Sequence, residues 1–140
     1  MTLGWGRTSG GGPAADILQQ AKLPLVSHNK CKEKYGAVDS SAHLCAGAGH
    51  AAASGGCNGD SGGPLVCEMA GKWYLHGAVS FGKRNCPTTH YTVFTRITSY
   101  KSWILEKIGL YFEYWIAADY ETYSLYMCAK FSVSFQMRVK

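Results

Sequence analysis

The stretch Gly56–Cys67, "GCNGDSGGPLVC", decides how the rest of the chain is read. Ser61 is preceded by Gly59-Asp60 and followed by Gly62-Gly63, and Pro64 then opens the apolar run "PLVC". Glycines in these places let the backbone turn tightly and let a reacting group approach main-chain N–H groups. A serine hydroxyl is a poor nucleophile until a base takes its proton. The stretch therefore asks for a tight turn that leads into a strand, and for a base elsewhere.

The same residues satisfy the G-x-S-x-G pattern of a nucleophile elbow, which needs a helix directly after the serine. Gly62-Gly63-Pro64 followed by "LVC" does not start a helix readily. Asp119, the Asp downstream of Ser61, follows the histidines, and only Glu68 before His76 keeps the elbow's order formally open. The elbow is rejected.

Outward from this stretch, glycine, proline and serine punctuate short apolar runs. Leu18–Val26, His43–Ala48, Pro64–Met69, Lys72–Phe81 and Tyr91–Ile97 read as strands, several of them alternating. "SHNKCKEKYG" fits a short helix with Ser27 as its cap and Gly36 as its stop. Tyr100, Trp103, Ile104 and Ile108 recur at helical spacing, which predicts a helix from about Thr98 to Gly109. The expected fold class is all-β, an antiparallel barrel closed by a C-terminal helix. Residues 1–109 are expected to form that unit and 110–140 an atypical aromatic-rich tail, which is expected to extend the helix and then add a strand.

The chain has 140 residues, 46% of them hydrophobic and 16% charged, which excludes a disordered chain. Its net charge of +5 is scattered, and Lys30, Lys32 and Lys34 surround Glu33 as on a solvated face, so no nucleic-acid partner is expected. The six cysteines, at spacings of 14, 12, 10, 19 and 42, contain no C-x-x-C pair, so neither a metal nor another cofactor is expected. They fit a disulfide-stapled extracellular domain. No signal peptide and no membrane-crossing run is visible, so the front of an exported protein is expected to be missing.

Taken together, "GWG", "LQQAKLPLVSHNKCKEKYG", "HLCAGAG", "GGCNGDSGGPLVC", "GAVSFG" and "VFTRITSYKSWI" resemble the C-terminal half of a chymotrypsin-like serine protease, over roughly Gly4–Ile108. The resemblance implies the second barrel of a two-barrel fold and a serine endopeptidase acting on polypeptides. It makes Ser61 the nucleophile and the N–H groups of Gly59 and Ser61 an oxyanion hole. Asp60 takes the place of the Asp that receives a new amino terminus; without that partner it must find another or distort its loop. Gly55, Gly82 and Thr92 would line the primary pocket. Gly55 stands where trypsin-like members place an Asp, so the implied preference is apolar or aromatic. Ser80, Phe81 and Gly82 would supply the backbone edge that pairs with substrate.

The resemblance also implies what is not here. "SAHLC" at 41–45 and "ADILQ" at 15–19 look like the family's His and Asp motifs, but both lie out of register. His28, His43, His50, His76 and His90 each have another place in this half, His90 being the least implausible substitute. The base and its orienting Asp belong to the missing N-terminal barrel. In serine proteases, losing the base or the nucleophile costs on the order of a million-fold in rate, so the chain alone should be a negligible protease. A non-catalytic peptide- or partner-binding module is the alternative. By the same resemblance Cys31 pairs with Cys45 and Cys57 with Cys86. The partner of Cys67 would sit one position before Met1, and Cys128 remains as a substitute.

Overall fold

A computed structural model of the chain describes residues 1–108. The tail 110–140, and the last residue of the expected final helix, lie outside the described residues. Strands β1 (Thr2–Gly4), β2 (Gln19–Ala21) and β3 (Leu25–Val26) precede helix α1 (His28–Tyr35). Strands β4 (His43–Ala46), β5 (Pro64–Met69), β6 (Lys72–Phe81) and β7 (Thr92–Arg96) follow. A 3-10 turn, Ile97–Tyr100, then leads into helix α2 (Lys101–Lys107).

The strands pair antiparallel in the order β2-β1-β5-β6-β7-β4-β3. The two ends of this order, β2 and β3, are consecutive in the chain, so the Lys22–Pro24 link closes the sheet on itself. The run Leu18–Val26, read from sequence as one strand, is therefore two. Ala21 pairs with Thr2 of β1, whereas Leu25 pairs with Ala46 of β4. Pro24 between them has no N–H for a ladder, and its carbonyl accepts from the Gly47 amide at 2.9 Å. Strand β1 was not foreseen, because three residues ending in glycine carry no period.

The α1 boundaries follow the sequence reading. The Ser27 hydroxyl accepts from the Lys30 amide at the helix start, and Gly36 ends it with φ of 52°. The expected helix from Thr98 is a 3-10 turn followed by α2, which ends at Lys107. Neither piece buries a residue among the described ones, and Trp103 is 58% exposed.

Two clusters make the core. Leu23, Ala46, Leu65, Val79 and Phe94 fill the barrel, while Cys31, Val38, Cys45 and Val93 pack between the barrel wall and α1. Strand β7 lies between β6 and β4, and its Val93 and Phe94 point into the two clusters. Both faces of that strand are covered, so burial runs through Thr92, Val93 and Phe94 instead of alternating. Each such apolar side chain contributes about 1.5–3 kcal/mol by leaving water.

Strand β6 carries two bulges. Leu65 faces Gly77 and Val66 faces Leu75, which leaves His76 as an extra residue; Val79 faces Phe94 and Phe81 faces Val93, which leaves Ser80 extra. Bulges bend a strand and re-aim its side chains. The second one sits directly beside the Ser61 turn.

Candidate active site

Two consecutive turns build the loop around Ser61. The Asp60 amide donates to the Cys57 carbonyl at 3.0 Å, and the Gly63 amide donates to the Asp60 carbonyl at 2.8 Å. Gly59 at φ of 96° and Gly62 at φ of 79° occupy the left-handed region that this double turn requires. A Cβ on Gly59 would also lie 3.0 Å from Cα of Gly6. The loop is tied to β6 on one side, because Gly62 donates to the Val79 carbonyl and Val79 to the Gly63 carbonyl, each at 2.8 Å. Ser61 thus stands exposed beside the Ser80 bulge. Among the described residues, neither the Gly59 nor the Ser61 amide donates to a protein acceptor. Both stay available to an incoming oxygen.

Asp60 turns the other way. Its Oδ1 accepts from the Gly6 amide at 2.8 Å and its Oδ2 from the Cys57 amide at 2.9 Å. The carboxylate lies so close over "GWG" that a Cβ on Gly4 or Gly6 would overlap it. The partner that the sequence left open is therefore main chain. Gly6 acquires a role here that sequence reading missed, since the only sign of it is two glycines with no period or polar group. A cavity of about 250 Å³ opens beside Asp60, with Gly4, Gly6, Gln20, Ser54 and Gly55 on its walls.

On the far side of the loop, the Thr92 hydroxyl accepts from the Gly56 amide at 2.8 Å, and this side chain is only 4% exposed. That bond joins Gly55-Gly56 to β7, beside the Phe81–Val93 pair that precedes Gly82. Gly55, Thr92 and Gly82 are brought together in this way. A Cβ on Gly55 would meet only the Thr92 hydroxyl, at 3.6 Å, and one on Gly82 only the Tyr91 carbonyl, at 3.9 Å. Space is left in front of both. The Phe81 ring points away toward α1, edge-on to Tyr35 at 5.7 Å and to His43 at 5.8 Å. Phe81 can thus serve the site through its backbone. Burial pushes the Tyr35 phenol up, and a hydrogen bond from the Lys83 backbone pulls it partly back.

No histidine among the described residues is hydrogen-bonded to Ser61. His43 Nδ1 accepts from the Asp39 amide at 3.2 Å, and His50 Nδ1 pairs with the Ala51 carbonyl at 2.8 Å. His28 opens α1, and His90 packs edge-on against Tyr35 at 6.1 Å. His76 sits at the other bulge, with its Nε2 buried and without a partner among the described residues. Burial, and then the Met1 ammonium, hold its imidazole below the usual range. Asp16 is exposed in the loop before β2. Asp39 is held low by the backbone and side-chain hydrogen bonds of Ser41.

Cys57 is bonded to Cys86 with 5.4 Å between Cα atoms, which fastens the Ser61 loop to the segment after β6. Cys31 is bonded to Cys45 with a Cα separation of 6.1 Å, which fastens α1 to β4. Cys67 is a free thiol among the described residues. No group of three potential metal ligands occurs among them, and none of their helices is long and apolar enough to cross a membrane.

The sequence pattern of the trypsin family matches residues 1–104, which takes in every residue of this site. The chain belongs to the trypsin family. It is 43% identical over 112 residues to chymotrypsin-C of Rattus norvegicus, an alignment covering 76% of this chain and 41% of the relative. The chain thus spans about two fifths of the length of this curated trypsin-family relative. By family it is a chymotrypsin-like serine protease domain, with the barrel and short C-terminal helix described above.

Proposed function

We propose that this chain is the nucleophile-bearing half of a secreted serine endopeptidase that cleaves polypeptides after apolar or aromatic residues. The observation that carries the reading is the Ser61 double turn, whose hydroxyl is exposed and whose flanking amides are both unengaged. In the reaction, Ser61 Oγ attacks the scissile carbonyl carbon and loses its proton to a base. The carbonyl electron pair moves onto oxygen, to which the Gly59 and Ser61 N–H groups donate hydrogen bonds. Each such donor typically lowers the barrier by about 2.7–4 kcal/mol. The C–N bond then breaks, the leaving amine takes the proton, and water releases the acyl group from Ser61.

The rim formed by Gly55, Thr92 and Gly82 carries no charge, which suits an apolar side chain next to the scissile bond. The Ser80–Gly82 backbone would pair with the extended substrate. The carboxylate of Asp60 borders a cavity, with its two oxygens held by the Gly6 and Cys57 amides. The base and its orienting Asp come from a second barrel outside this chain, so the chain by itself turns over negligibly. Two disulfides fit an exported protein.

A fluorophosphonate probe tests this reading. The chain alone should label negligibly, and a supplied N-terminal barrel carrying the base should restore labelling that Ser61→Ala abolishes. Peptide binding without labelling, even with that barrel present, would instead make the chain a peptide-binding module.

A further inference from the structure

Past Gly82 the chain enters a tight turn, Lys83–Cys86, whose first two residues are exposed cations, Lys83 and Arg84. Among the described residues neither is in an ion pair. We infer that Lys83 and Arg84 select polypeptides with acidic residues at the fourth and fifth positions on the acyl side of the scissile bond. The inference rests on the proposed function, in which substrate pairs with the Ser80–Gly82 backbone.

The Ser61 loop sets the direction. Its bonds to β6 end at Val79, whose carbonyl and amide are taken by Gly62 and Gly63. The edge that follows runs from Ser80, beside Ser61, to Gly82. The described strands all pair antiparallel, and a substrate added in the same sense arrives at Ser61 with its C-terminal end. Its acyl-side residues therefore lead away from Ser61 toward Lys83. Paired strands advance by about the same 3.3 Å per residue. Counted from Ser80, the third acyl-side residue meets Gly82, and the fourth and fifth meet Lys83 and Arg84.

The backbone ladder cannot continue there. The Cys86 amide donates to the Lys83 carbonyl at 3.0 Å, which closes the turn, and Asn85 takes a φ of 65° inside it. Beyond Gly82 the contact falls to side chains, and the two at hand are long and positive.

The turn is held from three sides, so its cations stand on fixed backbone. Cys57–Cys86 fastens its end to the Ser61 loop. The Lys83 amide donates to the Tyr35 hydroxyl, which itself donates to the Tyr91 carbonyl at 2.5 Å. Gly10 lies so close to the Asn85 carbonyl that a Cβ there would overlap it. The segments that hold the turn also carry Arg7, Lys32 and Lys34, against Glu33 and the inward-turned Asp60. Positive charge thus prevails around the turn, which attracts an acidic residue and repels a basic one. Exposed ion pairs gain little when two mobile groups must be ordered, and a fixed turn lowers that cost.

Fluorescence polarisation of the full chain tests this with labelled peptides of one sequence, each with phenylalanine as the first acyl-side residue. They carry paired Glu, Gln or Lys at the fourth and fifth acyl-side positions. The Glu peptide should bind about fivefold more tightly than the Gln peptide at low salt. That advantage should shrink to within about twofold at 1 M salt, where the Debye length is about 3 Å. A peptide with the Glu pair moved to the leaving-group side should bind like the Gln peptide. Joint Lys83→Glu and Arg84→Glu substitution should reverse the order of the Glu and Lys peptides, and Lys83→Gln with Arg84→Gln should erase it. Equal binding of the Glu and Gln peptides, an equal gain from Glu on either side, or a Glu preference that survives charge reversal would overturn the inference while leaving the substrate edge in place. Binding of none of the peptides would overturn the edge as well.

Discussion

If the Asp60 carboxylate anchors the Ser61 loop through Gly6, mutations at the two positions must be strongly non-additive. Asp60→Ala removes two hydrogen bonds to a carboxylate, at 2.8 and 2.9 Å. Bonds to charged groups contribute about 1.5–3 kcal/mol each. Asp60 is only half-buried, so water makes good part of the loss, and the expected cost is about 2–3 kcal/mol. Gly6→Ala puts a methyl group into the same carboxylate, since the nearest atoms to that Cβ all belong to Asp60. Overpacking of about 1–3 kcal/mol adds to the broken bonds, so this variant should lose at least as much as Asp60→Ala. In the Asp60→Ala background the methyl group meets the space the carboxylate left, and Gly6→Ala should then cost under about 0.5 kcal/mol. The coupling energy should be about 2 kcal/mol or more, measured by urea denaturation of the four proteins with tryptophan fluorescence as the probe. Additivity within about 0.5 kcal/mol would refute the anchoring. So would an Asp60→Ala variant as stable as wild type.

Three further predictions concern other parts of the molecule. His76 has a folded pKa below its ordinary value of 6.5, so protons bind preferentially to the unfolded chain. Stability should therefore be unaffected by this group well above pH 6.5 and should fall as pH drops through that value. His76→Leu should flatten this part of the stability–pH curve between neutral and mildly acid pH, and an unchanged slope would count against burial as the cause. Opening Cys57–Cys86 by paired serine substitution should cost about 3.6 kcal/mol from loop entropy, against about 3 kcal/mol for Cys31–Cys45. The difference follows from sequence separations of 29 and 14, and denaturation under non-reducing conditions measures it. Gly55→Asp should shift peptide binding from phenylalanyl to arginyl peptides at nearly unchanged stability, because a Cβ there meets only Thr92 Oγ1 at 3.6 Å. Fluorescence polarisation with the two peptides reads that change, and an unaltered preference would place the pocket elsewhere.

Much of the fold was legible because its signals are local. Ser27 and Gly36 mark the ends of α1, and the alternating apolar runs mark β5 and β6, since caps and periods act within a few residues. Strand β1 was not legible, being three residues long, nor was the break at Pro24, where pairing passes from β1 to β4. Of the candidate site, the glycines around Ser61 could be read as a turn. The partner of Asp60 could not, because Gly6 lies 54 residues away and contributes only a backbone amide, which every residue but proline carries.

The sequence by itself determined the chemistry available: a serine among glycines, a carboxylate beside it, and cysteines to fasten the loop. Tertiary structure alone decided where those groups point. Long-range pairing of β6 with β5 and β7 sets the bulge next to Ser61, and the Gly6 amide turns Asp60 inward while two other amides remain open. The reason is physical. Residue types and short spacings fix local turns and periods, whereas the direction of a side chain depends on hydrogen bonds between segments that meet only when the barrel closes.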